Sequence, residues 1–303
     1  MNVAACRAGE VRTLGGVRPW PTDPGAAPVW DIVRPSRPLR VPGVTMAGFD
    51  DRTAAPFELQ AVPHSAVTLI IEIGGGRLVV DHAAGRDQPG GLIAGLAFDP
   101  LQARGEGVET LQVRLPPLVA HAALGAPPAD LGHAVVPLED VWGRDATRVR
   151  EQLGEAPSWD DRFAIADALL LRRYEAGPSV DPAVARAWNR IIASRGRARV
   201  DELATETGWS RRRLWSRFRS QIGLSPKGAA RLVRFDHAAH QLAAGLSASR
   251  VAAESGYADQ SHLHRDVRAF TGATPTALAR APWLAVDDVA WPEYASFVQP
   301  GRV

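Results

Sequence analysis

The chain is poor in three things. It has one cysteine (Cys6), one lysine (Lys227) among 35 basic residues, and no apolar run of membrane-spanning length. The lone cysteine excludes an intramolecular disulfide and any cysteine-based zinc module. A bilayer span needs roughly 18–20 apolar residues, so no transmembrane helix is expected. Arg7 and Arg12 are followed by no apolar stretch, so there is no secretory pattern either. A soluble, cytoplasmic protein with no membrane contact is the expectation.

What the chain does have is enough for packed cores: 303 residues, 46% of them hydrophobic. That length suits about two domains. The net charge of +2 points to no particular partner until it is divided along the chain. Residues 1–195 carry 20 Arg against 23 acidic residues, and residues 196–280 carry 14 basic against 7 acidic. A module of charge +7 is therefore hidden in a neutral chain, as phosphate binding requires.

Residues 1–28 are rich in Gly, Pro and Ala and read as a flexible leader. From 29 to about 118, Pro and Gly cut the chain into short runs. Phe57–Val62, Val67–Ile73, Arg77–Val80 and Thr110–Leu115 are rich in β-formers, and several alternate with period two. Gly74-Gly75-Gly76 between two of them reads as a hairpin turn, because no Gly-Lys-Ser/Thr follows to make a phosphate loop. A β-rich sandwich or barrel is expected, trailed by helices at 118–125, 137–143, 144–153 and 158–174. Ser158 with Asp161 resembles a cap for the last. Gly177-Pro178-Ser179 reads as the linker between domains.

Residues 183–280 are helical in pattern. A short helix over 200–207 ends at Gly208, and Ser210 caps a second helix through Gln221 with Leu214 and Phe218 inward. The same pattern returns: a helix opened by Ser247-Ala248-Ser249 and closed by Gly256, then a helix from Asp259 with Leu263, Val267 and Phe270 inward, ending at Gly272. One long helix over 226–242 separates the two units. Two helix-turn-helix units with basic outer faces suit DNA, since such a helix fits the major groove.

The stretch Leu203-Ala204 … Gly208-Trp209-Ser210 … Leu214 … Phe218 … Gly223-Leu224-Ser225-Pro226 resembles the first half of the AraC/XylS-type DNA-binding domain. Val251-Ala252 … Gly256-Tyr257-Ala258-Asp259-Gln260-Ser261-His262-Leu263 … Phe270-Thr271-Gly272-Ala273-Thr274-Pro275 resembles its second half. Leu263 and Val267 depart from it, standing where Phe is usual. The resemblance implies an α+β chain of two domains: a β-rich N-terminal domain with trailing helices over 29–178, then an all-α reader over 179–280. It further implies a transcriptional regulator whose first reading helix presents Arg212, Trp215 and Ser216 to bases and whose second presents Ser261, His262 and Arg265. Ser210, Arg211, Arg213, Arg217, Arg219, Gln260 and Arg268 would be phosphate or flanking contacts. Trp215 is large for a base contact and equally fits a core or interdomain aromatic. His262 and His264, two residues apart on a helix, face different ways and make no metal pair.

Residues 129–143 resemble the end of the β-rich N-terminal domain of actinobacterial-type AraC-like proteins. The resemblance implies ligand sensing or dimerisation there, with double-stranded operator DNA, a small-molecule effector, a second copy and, for an activator, RNA polymerase as partners. It names no effector, no ligand-binding residue and no cofactor. An enzyme is not expected. His64, His82, His121 and His133 form no His-x-His pair, and there is no Gly-x-Ser-x-Gly elbow. Asp50-Asp51 and Asp160-Asp161 fit solvated loop or cap roles. The Ada-type repair variant needs zinc-binding cysteines that are missing. An N-terminal enzyme carried to DNA, or a regulator controlled by protein contacts alone, are the alternatives. Trp283, Trp291, Tyr294 and Phe297 in the tail, 281–303, are expected to pack back on the body.

Overall fold

A computed structural model describes residues 3–5, 30–52, 56–81, 90–125, 128–131, 135–280, 287 and 289–291. The strands are β1 (Val3–Ala5), β2 (Trp30–Val33), β3 (Thr45–Asp51), β4 (Phe57–Ala61), β5 (Val67–Glu72), β6 (Arg77–Asp81), β7 (Gly91–Ala94), β8 (Leu101–Glu106), β9 (Glu109–Leu115) and, further on, β10 (Val135–Pro137). All pairings are antiparallel, in two sheets of order β1-β2-β3-β9-β5-β7-β10 and β4-β8-β6.

Period-two alternation gives the larger sheet two different faces. Leu111, Val113 and Leu115 of β9, with Val67, Leu69 and Ile71 of β5, enter the main core on the helical side. Their neighbours Thr110, Gln112, Arg114, Thr68 and Ile70 line a cavity on the other side. The small sheet closes that cavity with Phe57, Leu78 and Ala103, which share a second core with Trp30, Ile32 and Phe49.

The helices covering the first face are α1 (Pro117–Leu124), α2 (Pro128–Leu131), α3 (Leu138–Trp142), α4 (Arg144–Glu155) and α5 (Trp159–Ala176). Ser158 caps α5 by accepting from the Asp161 N–H at 3.2 Å, as expected. Then come α6 (Pro182–Ala193), α7 (Val200–Thr207), α8 (Arg211–Ile222), α9 (Pro226–Ala243), α10 (Ala248–Glu254), α11 (Gln260–Thr271) and α12 (Pro275–Leu278). The β-rich region followed by a helical region agrees with the expected α+β class. The main core, however, runs without a break from Val33 to Leu278, so side chains of both regions share it.

Three local expectations fail. Gly74-Gly75-Gly76 joins no hairpin: β5 lies in the large sheet and β6 in the small one, so the turn crosses between layers. The leader is not uniformly irregular, because β1 pairs with β2 as an edge strand; the rest of the leader lies outside the described residues. Asp50 and Asp51 end β3 rather than occupying a solvated loop, and Asp51 is buried, accepting from the Gly107 N–H at 3.2 Å.

Candidate nucleic-acid interface and sensor cavity

Each reading unit is built from the same local parts. In the first, Leu203 and Ala204 bury the inner face of α7. Gly208 then turns the chain at φ +69°, a left-handed conformation that a side chain disfavours. Ser210 caps α8 by accepting from the Arg213 N–H at 3.3 Å. In the second, Val251 and Ala252 are buried, Gly256 turns at φ +75°, and Asp259 caps α11 by accepting from the His262 N–H at 2.7 Å. Counted from the caps, Leu214 matches Leu263 and Phe218 matches Val267, and all four are fully buried. The apolar departures from the family pattern therefore fill equivalent places.

The outward side chains can be placed one by one. Arg211, Arg212, Arg213, Trp215, Ser216, Arg217 and Arg219 are exposed on α8, and Ser210 on its cap. Trp215 is 48% exposed, which removes the core reading of this residue. Two of the arginines lie against indoles, Arg213 over Trp209 at 4.4 Å and Arg219 over Trp215 at 5.3 Å. Arg211 pairs with Asp201 at 2.9 Å in solvent, a contact weak enough to exchange for a phosphate.

On α11, Gln260, Ser261, Arg265 and Arg268 are exposed. His262 is half-buried: its ring meets Tyr257 edge-on at 5.2 Å and its Nδ1 accepts from the Ala258 N–H at 3.4 Å. His264, five residues after its cap as Trp215 is after Ser210, is exposed beside Gln260 at 3.3 Å. Counting from the cap residue would have singled it out in the sequence.

The second unit is tied to α9 by ions and rings. Asp266 holds Arg231 at 2.9 Å and Arg234 at 3.2 Å, and Phe270 stacks on Phe235 at 4.2 Å. The Gln60 side chain of β4 donates to the Thr271 carbonyl at 3.1 Å, linking this unit to the small sheet.

The cavity between the sheets has a volume of about 210 Å³. Its walls are mainly apolar, with Arg114, His64 and Asp287 as its ionisable members nearest one another in the ion network. Arg114 Nη2 donates to Asp287 at 2.7 Å, and its guanidinium lies 4.6 Å from the Trp291 ring centre. Asp236 and His240 of α9 meet this cluster from below. Asp236 accepts from the Ser65 N–H and hydroxyl at 2.9 and 2.8 Å, and His240 approaches Asp236 at 3.4 Å and Asp287 at 3.8 Å. Burial works against a charged His240, but the Asp236 hydrogen bond and the two carboxylate charges outweigh it and raise the imidazole to about 9. Burial, reinforced by Arg114, pulls His64 down to about 4.

Among the described residues no group of three or more His, Cys, Asp and Glu could hold a metal, and no helix is long and apolar enough to cross a membrane. Of the tail aromatics, Trp291 is buried in the second core, while Trp283, Tyr294 and Phe297 lie outside the described residues.

A family model described as a helix-turn-helix domain matches residues 203–281, which takes in both units. Residues 203–281 therefore form a helix-turn-helix DNA-binding domain of the AraC/XylS type. No curated protein sequence matches the chain. Solved structures align over most of this chain. ToxT from Vibrio cholerae O395 is 10% identical, covering 78% of this chain and 98% of its own, with a TM-score of 0.44. ToxT of V. cholerae strain SCE256 bound to an unsaturated fatty acid is 11% identical, covering 81% and 97%, with a TM-score of 0.44. The AraC-like transcriptional activator CuxR is 15% identical, covering 62% and 79%, with a TM-score of 0.24.

Proposed function

We propose that the regulator reads operator DNA by setting α8 and α11 into successive major grooves, under the control of a small molecule bound between its sheets. The observation that carries the reading is the repeated unit: buried pair, left-handed glycine, capped helix, exposed polar face. Arg212, Trp215 and Ser216 reach bases from the first unit, and Ser261, His262 and Arg265 from the second, with exposed His264 joining them. Ser210, Arg211, Arg213, Arg217, Arg219, Gln260 and Arg268 meet phosphates or flanking groups. The 18 residues of α9 span about 27 Å, close to the ~34 Å between grooves one turn apart.

An apolar cavity with a few convergent polar groups is the usual form of a ligand site. Its presence supports effector control over control by protein contacts alone. Residues 29–178 form the sensor and 179–280 the reader. The sensor also supplies the homodimer contact, and the protein acts in the cytoplasm without enzymatic activity, touching RNA polymerase where it activates. Genome-wide mapping of bound DNA gives the operator. Binding to that operator by wild type, Arg212→Ala and Arg265→Ala then tests the assignment: each variant loses discrimination at one base position, and unchanged binding by both overturns it.

A further inference from the structure

The sensor cavity already holds a ligand-like group, and it comes from the far end of the chain. Asp287 and Trp291 are held together in a turn, the Trp291 N–H donating to the Asp287 carbonyl at 2.8 Å. It presents a carboxylate to Arg114 and an indole to the aromatic wall, where Trp291 lies 6.2 Å from Phe49. Ala290 and Trp291 are each 2% exposed. Together they fill an anion-plus-apolar site at one end of the cavity.

We infer that the Asp287–Trp291 turn is a built-in competitor, and that the effector is an anion with an apolar body that takes its place on Arg114. This rests on the effector control proposed above. The chemistry follows from burial. The Arg114 and Asp287 side chains are 8% and 12% exposed, so the carboxylate is an anion that this dry site already holds against the guanidinium. An incoming anion restores the pairing; a neutral ligand does not.

Space and coupling agree with the exchange. Ala66, Arg114 and Trp291 also line a second cavity, of about 770 Å³, on the reader side. Lifting the turn would join the two spaces. It would also withdraw Asp287 from His240, which sits on α9 between the reading units. The displaced turn thus carries the effector's signal to the element that spaces the reader.

The test uses the full chain with 8-anilinonaphthalene-1-sulfonate as the anionic probe and N-phenyl-1-naphthylamine as its neutral counterpart, followed by fluorescence titration. Asp287→Asn should bind the anionic probe about tenfold more tightly than wild type and the neutral probe within about twofold of it. Equal shifts for both probes, or none for the anion, overturn the inference. Hydrogen exchange on unmutated protein guards against a folding defect in the variant. Amides of residues 287 and 289–291 should lose protection when the anionic probe saturates, and retained protection overturns the inference. Effector control itself fails separately, as an operator affinity that no bound probe alters, because probe exchange and tail release are read without DNA.

Discussion

The two reading units share one internal plan and differ in what they show to solvent. The outer face of α8 carries five arginines and follows a neutral Ser210 cap, whereas α11 offers Gln, Ser, two His and two Arg after an anionic Asp259 cap. Duplicated packing fixes where side chains point; the side chains then make two chemically different faces. A dense arginine face favours phosphate attraction, which is strong and blind to sequence. A hydrogen-bonding face with little charge favours discrimination between bases.

The largest effect should come from the shared plan. Leu214→Ala and Leu263→Ala each empty an equivalent, fully buried place and should cost about 2–5 kcal/mol in denaturant unfolding. A similar loss from both would show the two units to be equal as structures; a small loss from either would break that equality. The segment between the units can be loosened without touching either. Its His240 is raised from 6.5 to about 9, so its stabilising contribution is complete below pH 6.5 and lost as pH rises toward 9. That amounts to on the order of 3 kcal/mol of unfolding free energy. His64, lowered to about 4, has the opposite sign: its neutral form is stabilising, and the advantage is lost as pH falls from 6.5 toward 4. Melting temperature against pH should therefore peak near pH 6.5, and His240→Gln should remove the alkaline decline alone.

Next come the contacts that distinguish the faces. Arg212→Ala and Arg265→Ala should each cost about 1–3 kcal/mol at one base position. Arg213→Ala and Arg217→Ala should instead weaken binding to every sequence and lower the salt slope by about 1 each, measured by titration at several salt concentrations. A salt slope that falls more for α11 variants would reverse the division of labour. The smallest effect belongs to the caps: Ser210→Ala and Asp259→Ala should each lose about 1 kcal/mol of stability. The Asp259 change should also tighten nonspecific DNA binding slightly by removing a negative charge, and the serine change should not.

The helices were legible in the sequence because each carries its own punctuation. Ser158, Ser210, Ser247 and Asp259 cap in the structure where the pattern put them, and Gly125, Gly208, Gly223 and Gly272 close helices in left-handed conformation. Strands such as β3 were not, because Gly48 interrupts the alternation. The reason lies in packing, since a side chain at Gly48 would collide with the Trp159 ring. The cavity was invisible for a different reason. Its walls come from strands far apart in the chain and from a tail near its end, so no local pattern announces Arg114 beside Asp287. The half-buried setting of His262 was also illegible, because the contact of its ring with Tyr257 depends on how the turn before the helix folds.

The unbroken main core has a consequence for anyone recombining such regulators. Both α1 and α2 touch α8, and Gly223 at the end of α8 sits close to Pro128. A graft of residues 179–280 onto a foreign sensor would turn that apolar flank to water. The interchangeable part is larger than the DNA-reading part: a chimera that folds must transplant α1 and α2 together with the helices that meet DNA.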